Sequence, residues 1–128
     1  MTEYAPAVRD LSAATNADFN EYCSLQTDAG SPIDLTGAVL AMQVRSEPGG
    51  TIYLDLDSTG LTANGSGLVV GNDSTQGGFT IVIKKADLAG IAFGDLSALA
   101  ASYDVTLTQS ETSVLAKGTF FISKGVTA

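Results

Sequence analysis

Apolar residues recur at every second position over much of this chain, and that period predicts strands. Phe19, Glu21, Cys23, Leu25 and Thr27 alternate with Asn20, Tyr22, Ser24 and Gln26, a first strand with both faces mixed. Asp28-Ala29-Gly30-Ser31-Pro32 ends it in a turn, and Asp34-Leu35-Thr36-Gly37 makes a second tight turn. Over residues 38–45, Leu40, Met42 and Val44 point one way and Val39, Ala41, Gln43 and Arg45 the other. Glu47-Pro48-Gly49-Gly50 breaks that strand. Residues 51–57 resume it, with Ile52, Leu54 and Leu56 inward and Tyr53, Asp55 and Asp57 outward, so the pair reads as a hairpin.

Residues 61–70 hold two short apolar pieces around Asn64-Gly65, a tight-hairpin signal because both residues accept positive φ. A polar loop over residues 71–78 leads to an inward row of Phe79, Ile81 and Ile83. Residues 84–93 allow about two helical turns, which Gly90 and Gly94 cut short. Tyr103, Val105 and Leu107 alternate with Asp104, Thr106 and Thr108, and residues 109–113 turn the chain back. The last strand, residues 114–122, carries a kink or bulge at Lys117-Gly118. It sends Phe120 and Ile122 to one side and Phe121 to the other. Residues 1–18 read as an irregular N-terminal arm with one edge strand near Tyr4 and Val8.

Seven or eight short strands in 128 residues, with one helix too brief for a βαβ unit, predict a single β-sandwich or small barrel. One cysteine, Cys23, rules out an antibody-type internal disulfide and reads as a small buried hydrophobe. A wider immunoglobulin-like topology stays open.

Composition narrows function by exclusion. Fourteen acidic against six basic residues give a formal charge of -8, which argues against a nucleic-acid or anionic-membrane partner. The chain has no His, so a Ser-His-Asp triad, a His-metal centre and a His general base are all excluded. The first residues lack the basic start and apolar run of a signal peptide, so synthesis in the cytoplasm is expected.

Asp55-Leu56-Asp57-Ser58-Thr59-Gly60 imitates the start of a calcium loop, but Ser66 stands where the bidentate Glu belongs. The alternative is an outward Asp pair ending a strand, with Ser58-Thr59-Gly60 as its turn. Gly65-Ser66-Gly67 and Gly77-Gly78 lack the spacing of a phosphate cradle and read as turn glycines. Acid pairs such as Asp55 with Asp104, or Asp34 with Asp87, become catalytic only in a shared cleft that the sequence does not show. No enzyme activity, cofactor or metal is therefore expected. Tyr22, Tyr53 and Phe121 are outward aromatics that suit a partner protein or a glycan, or simple cross-strand packing.

Gly30-Ser31-Pro32-Ile33-Asp34-Leu35-Thr36-Gly37-Ala38, then a strand ending in Val44-Arg45, resembles an opening found in small phage and prophage tail-associated proteins. The order continues with a strand at 79–83, a short helix at 84–91, a Tyr-Asp-Val strand at 102–107 and a Gly-Thr-Phe strand that closes in Val-Thr at 118–127. In this order the chain is similar to the immunoglobulin-like N-terminal domain of phage baseplate upper proteins. Gly90 and Gly94 depart from the more polar helix usual there. The resemblance implies an all-β, immunoglobulin-like β-sandwich over residues 19–128 preceded by the arm. It also implies a non-catalytic virion protein of the tail or baseplate that touches other virion proteins or further copies of itself. A carbohydrate-binding or host-adhesion module and a head or head–tail accessory protein are the alternatives. The contact residues expected are Tyr4, Val8, Tyr22, Tyr53 and Phe121.

Overall fold

The computed structural model describes residues 7–8, 10–24, 33–71, 77–109 and 112–124. Its strands are β1 (Ala7–Val8), β2 (Leu11–Ala14), β3 (Phe19–Ser24), β4 (Val39–Arg45), β5 (Ile52–Asp57), β6 (Gly67–Val69), β7 (Gly78–Ile83), β8 (Ala98–Thr108) and β9 (Thr112–Ser123), with one helix, α1 (Lys85–Ala89). The large sheet runs β1-β9-β8-β4-β5, with β2 also on β9, and the small sheet runs β3-β7-β6. Three strands facing a β9-β8-β4-β5 sheet is the immunoglobulin-like arrangement, with β3-β7-β6 in the places of strands B, E and D.

The inner faces follow the alternation. Leu40, Met42 and Val44 of β4 are fully buried, as are Ile83 of β7 and Phe120 and Ile122 of β9. Each such side chain contributes roughly 1.5–3 kcal/mol of transfer free energy. Phe19 of β3 meets Phe120 of β9 across the sandwich at 5.3 Å between ring centroids, and Tyr103 meets the same ring edge-on at 6.2 Å. Cys23 is half-buried against this core.

Four readings are corrected. The stretch expected as an arm with one edge strand near Tyr4 and Val8 has β1 at Ala7–Val8 and also supplies an unexpected β2; both pair in parallel with β9, and β2 buries Leu11. The small residues Ser12, Ala13 and Ala14 concealed this strand, since a single buried leucine gives no period. Ile52, expected inward, is 44% exposed. Val44 pairs with Leu54 and Arg45 with Ile52, so Tyr53 is the extra residue of a bulge, and the bulge turns Ile52 out. The irregularity of β9 lies not at Lys117-Gly118 but at Leu115, since Val105 pairs with Ala116 and Thr106 with Val114. Asn64-Gly65 closes a turn, Gly65 N–H to the Thr62 carbonyl at 2.9 Å, without joining two strands of a hairpin. Residue 66 leads directly into β6, which pairs with β7.

Polar side chains fix the connections. Asp34 accepts the Thr36 amide at 2.9 Å in the predicted tight turn, which holds its carboxyl below the usual range. The Ser58 hydroxyl accepts the Leu40 amide at 2.9 Å. Asp10 accepts the Thr119 amide at 3.1 Å beside the switch from β1 to β2. Lys84, at the N-cap position of α1, makes no side-chain cap, and the Asp18 carboxylate instead accepts the Lys85 amide at 2.8 Å. The turn at residues 28–32 and the loop at residues 72–76 lie outside the described residues.

Candidate functional site

Two places concentrate polar chemistry. The first lies under α1. Asp87 accepts hydrogen bonds from the Ser66 hydroxyl, from Thr62 Oγ1 at 2.8 Å and from Asn64 Nδ2 at 2.7 Å. Ser66 Oγ in turn accepts the Lys84 amide at 2.8 Å. Burial pushes the Asp87 carboxyl up, but the hydrogen bonds from Ser66, Asn64 and Thr62 outweigh it and hold the group below the usual carboxylate range. The arrangement lacks what nucleophilic chemistry needs. Ser66 is fully buried, so no substrate reaches its oxygen, and an Asp held ionised by three donors is a weak base. These residues tie the 62–66 turn to the helix.

The calcium-like segment is likewise occupied. Asp57 accepts the Thr59 hydroxyl at 2.7 Å and its amide at 2.9 Å, and these bonds lower its pKa. Among the described residues no three His, Cys, Asp or Glu side chains converge on a metal-sized space.

The second place is the outer face of the large sheet. The register sets Lys117, Asp104, Gln43 and Asp55 in one row across β9, β8, β4 and β5. The neighbouring row is Thr119, Ser102, Arg45 and Ile52. Arg45 donates to Gln43 Oε1 through Nε at 3.1 Å and Nη2 at 2.9 Å, and to the Gly50 carbonyl through Nη1 at 2.9 Å. Among the described residues these bonds use three of its five N–H groups, so a fixed guanidinium keeps two in reserve. A groove of ≈ 570 Å³ crosses this face between Arg45, Pro48, Ser102, Asp104 and Lys117. Of eight exposed large hydrophobics among the described residues, four stand here: Val39, Ile52, Val114 and Phe121. Their positions on this face follow from the register with outward partners.

Among the described residues, the expected contact residues do not converge. Phe121 is 45% exposed on this face, flanked in register by Ser12 and Ala100. Tyr22 is exposed on the outer side of the small sheet, where it and Val69 flank Thr80. Tyr53, expected outward, is half-buried against the core because it is the bulged residue. Val8 pairs in register with Lys117, and Tyr4 lies outside the described residues. Gln43 and Arg45 were legible as outward positions. Their alignment with Asp104, Lys117 and Asp55 was not, because it depends on which strands pair.

No family model matches the chain, and no curated protein matches it. Among solved structures, it is similar to that described as the crystal structure of the RIG-5 IG1 homodimer, at TM-score 0.48 and 15% identity, covering 98% of this chain and 97% of that one. It is also similar to Drosophila OTK, extracellular domains 3–5, at TM-score 0.36 and 13% identity, covering 98% of this chain and 38% of that one.

Proposed function

We propose that this chain is a non-catalytic structural module of a phage or prophage particle, in its tail or baseplate, that works through protein–protein contacts. One observation carries the contact reading: half of the exposed large hydrophobics of the described residues share a face with a fixed, partly unsatisfied Arg45. Apolar groups around fixed charged donors suit a protein partner, since the apolar area supplies affinity and the charges supply register. The Ser66 hydroxyl that bonds Asp87 is fully buried and out of reach of a substrate, which supports a role without catalysis. The particle assignment is supported by the order of segments described under Sequence analysis.

The test is mass spectrometry on particles purified from a lysogen that carries the gene. The expected result is that the chain co-sediments with tail proteins at a fixed stoichiometry through a density gradient. A chain found only in the soluble fraction while tails sediment intact overturns the reading.

A further inference from the structure

We infer that the outer face of the large sheet binds a second copy of this chain, face to face, about a two-fold axis parallel to the strands and midway between β8 and β4. The inference rests on the contact reading above and names its partner. A self-association face must be complementary to itself, and the row through its middle is. Lys117 stands on β9 and Asp55 on β5, at opposite ends of the four-strand row Lys117, Asp104, Gln43, Asp55. The stated axis lays β9 of one copy over β5 of the other. Each Lys117 then faces the partner's Asp55, and each Asp104 faces the partner's Gln43.

Other observations agree. Both Lys117 and Asp55 are exposed, and among the described residues neither side chain takes an ion pair within its own chain. The uncommitted N–H groups of Arg45 lie one row from the partner's Asp104. The same axis sets Ile52 opposite the partner's Thr119 and one row from the partner's Phe121, so two exposed apolar residues are covered together. The face is also large enough. The four overlapping strands at about 4.8 Å and about eight residues at about 3.4 Å give roughly 520 Å² per partner, or about 1,000 Å² in total, the lower bound for a specific interface.

The experiment is light scattering on the full-length chain, micromolar to near-millimolar, with the wild type, Lys117→Asp, Asp55→Lys, and an equimolar mixture of the two variants. Circular dichroism checks that each variant is folded. The expected result is a wild-type mass of twice 13.0 kDa, weakened by salt. Each variant alone is expected to dissociate at least tenfold more readily, because like charges meet twice. The mixture restores the dimer, because both pairs are again opposite. A wild type that stays monomeric overturns the inference, as do variants that dimerise unchanged or a mixture that stays monomeric.

A second measurement needs no variant. Within one chain Lys117 and Asp55 are three strand spacings apart, about 14 Å. A zero-length carbodiimide link between them therefore reports two copies, and its absence from the cross-linked dimer overturns the inference. Co-sedimentation with particles by a strictly monomeric chain would remove the dimer and keep the contact reading. A dimer missing from particles would do the reverse.

Discussion

Ser66 donates its hydroxyl to the Asp87 carboxylate while the same oxygen accepts the Lys84 amide, so one buried atom joins the 62–66 turn, the end of β7 and α1. Remove either partner and a polar group is left short of a bond where water has little access. Ser66→Ala is expected to destabilise the fold by about 1–3 kcal/mol. Urea denaturation followed by far-ultraviolet circular dichroism measures it.

Asp87 also makes stability depend on pH. Its folded-state pKa lies below the ordinary Asp value of about 3.9. The carboxylate therefore contributes its full stability above that value and loses it as pH falls through the folded pKa. Melting temperatures from pH 6 to pH 2.5 should fall more steeply for the wild type than for Asp87→Asn. Parallel curves would show that the group carries no linkage.

The bulge at Tyr53 separates two residues that the alternation treats alike. Leu54→Ala removes a side chain that is 6% exposed and should cost about 2–5 kcal/mol. Ile52→Thr alters an exposed position and should stay within about 0.5 kcal/mol. Equal costs would place Ile52 in the core after all. The comparison needs only two thermal melts against wild type.

Leu11 is the buried anchor of β2. Leu11→Ala should cost about 2–5 kcal/mol. Hydrogen exchange should quicken first in residues 11–14 and in their β9 partners 120–123. If exchange at those amides were unchanged, the strand would be held by its backbone ladder alone.

Arg45 bridges its own strand to the hairpin turn through Gln43 and the Gly50 carbonyl. Arg45→Lys keeps the charge and loses the fork. Limited proteolysis should then cut the 46–50 turn faster, with overall stability lowered by about 1 kcal/mol.

Alternation in the sequence located the inner rows of β4, β7, β8 and β9 because each has a run of large apolar residues at period two. It failed where the backbone inserts a residue, at Tyr53 and Leu115, since a bulge shifts every later side chain by one face. It was also ambiguous at β3. Glu21 shares the inner side with Phe19 and Cys23, half-buried on a strand that pairs only with β7 among the described residues. A charge turned inward there discourages a further strand from adding to that edge. The candidate face was half legible. Its residues could be assigned to an outward side, but a row spanning four strands is a property of pairing, and pairing joins positions as far apart as 43 and 104.

The parallel run of β2 beside β9 also has a mechanical meaning. Ala7 sits next to Ala116 and Ala14 next to Ser123, so the chain enters and leaves the large sheet seven residue steps apart along β9, about 23 Å. Tension applied through the two ends pulls these neighbours along their common axis in opposite directions. The ladder between them is then sheared, with its hydrogen bonds loaded together, rather than opened one at a time. A segment attached at either end would find the sandwich a stiff link in series.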